Sequence, residues 1–181
     1  MSAHPRTLSH ARHLITRTAG SVRARPLTPR EEAEVAGLLD DRWAALFWAQ
    51  PVMDQRHAID AARFVLTARP GDRDLARAAL LHDVGKRHAR LGVPGRVAAT
   101  VLALLGLPAP GRLGVYLDHA RLGADDLAGA GGLIEAYARH QDDGRPEAVP
   151  APAWALLKEA DGEKHRVGGE AQYDVDDVER S

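Results

Sequence analysis

Residues 75–86 read LARAALLHDVGK, and this stretch decides the fold. Alanine and leucine are strong helix formers. Leu75, Ala78, Ala79 and Leu80 fall at spacings that put an apolar face on a helix of about residues 72–84. That helix turns its apolar side inward and delivers His82-Asp83 at its C-terminal end, where Gly85 is placed to stop it. An imidazole and a carboxylate leaving a buried helix together are costly unless they are paired or hold a cation. A salt bridge from Asp83 to Lys86 or Arg87 is the structural alternative.

Outward from this segment the chain repeats the same grammar. Of its 181 residues 45% are hydrophobic but only 4% are aromatic, so the core is expected to be Ala, Leu and Val. β-branched runs are scarce, which favours an all-α domain. Thr28-Pro29 followed by Glu31 and Glu32 is a helix start, with a cap, a proline at the first turn and acids at the positive end of the dipole. Asp40-Asp41 starts a second helix carrying Trp43, Leu46, Phe47 and Trp48, which Pro51 ends. A third helix is expected over 53–68 with His57 on it, followed by a turn at Pro70-Gly71-Asp72. Further helices are expected over 97–105 (apolar and buried), 113–117, 124–128, 133–140 and 154–160. Together they predict a helical bundle of at least five helices.

Three regions are expected: a basic arm at 1–27, a helical domain at 28–165 and an acidic tail at 166–181. Residues 1–30 hold six arginines and no acid, a pattern compatible with a disordered arm or an organelle transit peptide. A formal charge of −1 gives no global basic field, so no nucleic-acid partner is expected. No apolar run reaches the ~20 residues of a membrane span, so no membrane partner is expected. The absence of cysteine excludes disulfides, zinc–thiolate sites and a cysteine nucleophile, and fits a cytoplasmic setting. Oligomeric state is left open.

Nine histidines are present. His57, His119 and His140 lie near helix ends or on helix faces, as does the carboxylate of Asp161. With His82-Asp83 they form a set that several helices can aim at one centre, as in metal sites inside bundles. Imidazole and carboxylate suit Mn, Fe, Co, Ni or Zn. Asp83, with two oxygens, is the natural bridge between two ions.

The ordered set His57, His82-Asp83, Asp161, with Val84-Gly85-Lys86 after the doublet, resembles the HD-domain superfamily of metal-dependent phosphohydrolases. His82-Asp83-Val84-Gly85-Lys86 is similar to that family's His-Asp-Ile-Gly-Lys variant, and the resemblance covers roughly residues 50–165. It implies that His57, His82, Asp83 and Asp161 hold one divalent metal, that Asp83, His119 and His140 hold a second, and that Lys86 faces the phosphate. His140-Gln141 replaces the paired histidines of cyclic-dinucleotide phosphodiesterases, and Gly144-Arg145-Pro146 replaces their Gly-Tyr-Pro element. Both departures argue against a cyclic dinucleotide.

The implied activity is hydrolysis of a phosphate ester, a nucleotide or a related compound, by a water whose pKa the metal lowers toward ~7. Asp83 and Lys86 are the expected catalytic residues. Arg87, Arg90, Arg112, Arg121 and Arg139 are candidates for further phosphates. Two alternatives stand beside it: a mixed-valent di-iron oxygenase with the same ligand types, and a non-catalytic, metal-stabilised nucleotide-binding module.

Overall fold

A computed structural model describes residues 24–162. Among the described residues there are nine α-helices, one 3₁₀ turn and no strand, which is the expected all-α bundle. Residues 1–23 of the expected basic arm, and the whole expected acidic tail at 166–181, lie outside the described residues.

Three of the first four helices start where a side chain caps them. α1 (Pro29–Leu38) opens with a reciprocal capping box between Thr28 and Glu31. α2 (Asp41–Trp48) is capped by Asp40, whose Oδ1 accepts from the Trp43 amide at 3.2 Å. α3 (Val52–Ala68) follows Pro51, and α4 (Arg73–Leu81) is capped by Asp72. A 3₁₀ turn (Val84–His88) then leads to α5 (Val93–Leu104), α6 (Arg112–Leu117), α7 (His119–Asp126), α8 (Gly132–His140) and α9 (Ala151–Gly162).

α4 is the axis of the bundle. It packs against α1, α2, α3, α8 and α9, and its residues Leu75, Ala76, Ala78, Ala79, Leu80 and Leu81 are all buried. A helix apolar over most of its circumference belongs at the centre. Ala58, Ala62 and Val65 of α3, Ala138 of α8 and Leu157 of α9 join it in one core, with Phe47 and Tyr137 the buried aromatics. Small alanines let these helices approach closely. Truncating Leu80 or Leu81 to alanine in so tight a core costs about 2–5 kcal/mol.

Two expectations are corrected. Gly85 does not terminate α4, which already ends at Leu81 with His82 as its C-cap. Glycine is required there by a crossing: a Cβ on Gly85 would stand 2.0 Å from the His119 carbonyl oxygen and 2.6 Å from the Gly123 amide nitrogen. The 3₁₀ turn and α7 therefore touch backbone to backbone. The apolar helix expected to be buried begins earlier, at Val93, and buries only Arg96 and Ala99. α5 packs mainly against α6, so Val101, Leu104, Leu105 and Leu107 remain exposed.

Candidate metal centre

Three helices distant in sequence bring one cluster together. α3 supplies His57, α4 supplies His82 at its C-terminus, and α9 supplies Asp161. His57 Nε2 lies 3.0 Å from Asp161 Oδ1, and His82 Nε2 lies 3.6 Å from the same oxygen. The donor atoms of His57, His82 and Asp161 all lie within 4.8 Å of one another, so this group could hold a metal ion. Ligand bonds of about 2.0–2.2 Å set neighbouring donors roughly 3.0–3.5 Å apart, close to the 3.0 and 3.6 Å from Asp161 Oδ1 to the two imidazoles. Asp83 adjoins the group through Oδ2, 3.4 Å from His82 Nε2.

The ring orientations are fixed from behind. His82 Nδ1 donates to the Ala79 carbonyl at 2.9 Å, and His119 Nδ1 donates to the Tyr116 carbonyl at 2.8 Å. In a neutral ring this leaves the Nε2 lone pair facing the carboxylates, the tautomer that metal ligation needs. His82 Nε2 and Asp83 Oδ1 are buried and have no hydrogen-bond partner. With His82 neutral, its Nε2 lone pair and the carboxylate oxygens of Asp83 and Asp161, 3.4 and 3.6 Å away, repel unless a cation or a proton stands between them. The residues present therefore fit a metal.

The charges tell the same story for the ion-free centre. Burial works to lower the His82 pKa, but the charge of Asp83 and hydrogen bonding to Asp161 override it and push the imidazole up to about 10. Burial likewise opposes ionisation of Asp83, yet the charges of His82 and Lys86 hold its carboxyl well below the usual range. A proton on His82 thus fills the electrostatic role that a metal would take. Lys86 Nζ donates to Asp83 Oδ2, and although burial disfavours its charge, Asp83 holds it protonated.

Asp83 divides the centre. Its Oδ2 faces His82, while its Oδ1 lies 3.5 Å from His119 Nε2. The Gly85–α7 crossing places His119 there, because a bulkier residue would hold the two segments apart. His140 does not join this cluster by any hydrogen bond or ion pair of its side chain. It sits half-buried at the end of α8. Among the expected phosphate-binding arginines, Arg87 pairs with Asp126, Arg121 with Asp118 and Asp125, and Arg139 with Asp125. Arg112 donates to the Ala89 carbonyl, and Arg90 is exposed, with φ of 48°.

Several contributors were not among the expected residues. Asp142 Oδ2 lies 3.5 Å from His119 Nε2. Buried Gln141 donates from Nε2 to the His82 carbonyl at 2.6 Å, tying the end of α8 to the doublet. Asp54 of α3 and Arg96 of α5 form a buried, two-bonded ion pair at 2.6 Å. The Arg96 guanidinium stands 5.6 Å from the Tyr116 ring centroid, and Tyr116 stacks on His119. The paired carboxylate thus reaches the centre's edge through two ring contacts.

Comparison with protein-family models, curated proteins and solved structures finds no match. No helix among the described residues is long and apolar enough to cross a membrane.

Proposed function

We propose that the chain is an HD-type metal-dependent phosphohydrolase, a phosphomonoesterase or phosphodiesterase acting on a nucleotide or related phosphate ester. One observation carries this reading: His57, His82 and Asp161 converge from three helices while buried His82 Nε2 and Asp83 Oδ1 are left without partners. His57, His82, Asp83 and Asp161 would hold a divalent ion; Mn, Fe, Co, Ni and Zn all suit imidazole and carboxylate donors. Such an ion, when bound, acidifies water toward neutrality and offsets charge on phosphoryl oxygens.

The chain's own residues do the rest. The Ala79 carbonyl orients His82 through Nδ1. Asp83, ionised through neutral pH, serves as ligand and not as proton acceptor. Lys86 stands on Asp83 and supplies a second positive charge to a phosphate bound beside it. Lys158, 3.8 Å from Asp161 Oδ2 and partly exposed, adds charge at the opposite side.

The test is ester hydrolysis by the full chain, stripped with chelator and resupplied with Mn or Ni. Turnover of p-nitrophenyl phosphate or its bis ester is expected only with metal, and Asp83→Ala should abolish both metal retention and turnover. Full activity in metal-stripped Asp83→Ala overturns the proposal. Iron-dependent oxygen uptake without ester hydrolysis favours the oxygenase, and tight metal binding without turnover of any ester favours the binding module.

A further inference from the structure

α5 is rich in apolar residues, yet it buries only Arg96 and Ala99 and packs mainly against α6. Val97, Val101, Leu104 and its C-cap Leu105 recur at helical spacing, which aligns them on one face. Val101, Leu104 and Leu105 are exposed, and Leu105 is 65% exposed. The helix then closes in a fixed turn. The Leu107 amide donates to the Leu102 carbonyl at 2.9 Å, and the Gly106 amide donates to the Ala103 carbonyl at 3.1 Å. With Gly106 at φ of 64°, this is the doubly bonded helix end in which glycine takes the left-handed position. It holds Leu107, also exposed, at the same end of α5. Leu117, the last residue of α6, is exposed as well. Five of the seven large exposed hydrophobic side chains among the described residues therefore lie on α5, its closing turn and α6.

Charge decides what covers this face. Residues 97–111 contain no charged side chain, in a chain of which 27% is charged. The flanking arginines are engaged: Arg96 is buried against Asp54, and Arg112 donates to the Ala89 carbonyl. The outer segments of the chain itself match the face poorly. Residues 1–23 carry four arginines and no acid, residues 163–181 carry six acids and three bases, and neither meets a countercharge here. A helix that lies on a lipid surface carries lysine or arginine on its polar side, whereas the single arginine of α5 is buried. A second copy of the same uncharged face brings apolar side chains together and no like charges, as two-fold contact of a surface with itself requires. We infer that α5 and its closing turn form the contact surface of a homodimer, each copy packing this face on the same face of the other. A face about 18 Å long and about 10 Å wide is smaller than the ~800 Å² per partner of a standard interface, so the dimer comes apart on dilution.

The test is sedimentation of the full chain over roughly 1–500 µM, the range in which small interfaces dissociate, with a thermal melt of each variant. The wild type is expected to pass from the mass of one chain to that of two as concentration rises, with or without chelator. Leu105→Lys places a cation at the C-terminal end of α5, where the helix dipole favours it. It should keep the wild-type melting temperature and weaken dimerisation at least ~10-fold, because like charges then share the interface. Val101→Lys, on the same face, should do the same and serves as the test if Leu105→Lys does not fold. A wild type that is monomeric throughout, or dimerisation unchanged in the folded variants, overturns the assignment. A monomeric wild type whose melting temperature falls in Leu105→Lys also overturns it, and shows that a segment of the same chain covers the face. Wild-type binding to phosphatidylcholine vesicles that Leu105→Lys abolishes overturns it in favour of a lipid surface.

Discussion

The bundle buries charge in two neighbouring places and treats them in opposite ways. At the α3–α5 contact, Asp54 and Arg96 satisfy each other with two bonds of 2.6 Å, and Arg96 Nε finds the Leu91 carbonyl. At the α3–α4–α9 junction, His82 and Asp83 approach within 3.4 Å without a hydrogen bond between them, and an atom of each is left unpartnered. Both pairs are buried, so exposure does not explain the difference. The fold is able to complete an ion pair where structure is all that is required. The unpartnered atoms at the end of its central helix leave room for positive charge, carried by a proton on His82 in the ion-free centre or by a cation that this group could hold.

The largest expected effect comes from removing the centre's shared carboxylate. Asp83→Ala should lower metal affinity and ester turnover by more than the ~100-fold that loss of a supporting partner produces. The comparison is sharpened by a thermal melt with metal. At a concentration of 100 times Kd, a bound ion adds about 2.7 kcal/mol to the wild type. That gain should persist in Asp54→Ala and vanish in Asp83→Ala.

Breaking the satisfied pair is next. Asp54→Ala strands a buried guanidinium and should cost about 3–5 kcal/mol, a fall in Tm of roughly 6–20 °C at this size. The double variant Asp54→Leu with Arg96→Met should recover most of this loss, since apolar replacements of buried pairs are often neutral. Failure to recover would mean that Arg96 is needed for more than its pairing.

Gly85→Ala probes the geometry linking the two halves of the centre. A methyl 2.0 Å from the His119 carbonyl oxygen must force the 3₁₀ turn and α7 apart. The expected cost is about 3 kcal/mol, near the upper end for overpacking. Weaker metal binding should accompany it even at temperatures where the variant is folded, measurable by calorimetric titration with Mn.

The smallest effect lies far from the centre. Glu31 closes the capping box and accepts from Arg56 at 2.5 Å and Arg63 at 2.8 Å. The hydrogen bond from Arg56 is the main reason its pKa is lowered from 4.5 to about 2, against the opposing effect of burial. A depressed carboxyl stabilises the fold above its unfolded pKa and loses that contribution as pH falls through its folded value. The stability difference between wild type and Glu31→Gln, about 1 kcal/mol at neutral pH, should therefore shrink between pH ~4.5 and ~2. A difference constant over that range would show that the ion pair contributes nothing.

Sequence carried the helices and the residues of the His57–His82–Asp161 cluster because both leave periodic or typed traces. Alanine and leucine spacing marked the inward face of α4, Thr28 and Asp40-Asp41 marked the starts of α1 and α2, and a His-Asp doublet at the end of an apolar helix marked the cluster. The remaining features are products of packing. Asp142 is one acid in a polar loop, and only the anchoring of Gln141 gives it a position. His140 reads as a ligand by residue type, and it lies half-buried on the last turn of α8. Asp54 and Arg96 are 42 residues apart, and no local pattern announces that pair. Gly85 read as a stop signal, since a backbone crossing with α7 has the same one-letter trace as a helix terminator. The exposed side of α5 reads as core for a similar reason: hydrophobic spacing specifies an apolar face but not what covers it.

Anomalous diffraction from crystals grown with Mn tests the central assignment most directly. A peak about 2.0–2.3 Å from His57 Nε2, His82 Nε2 and an oxygen of Asp161 is the expected result. Saturating metal with no peak there, and His82 bonded straight to the carboxylates of Asp83 or Asp161, would contradict it.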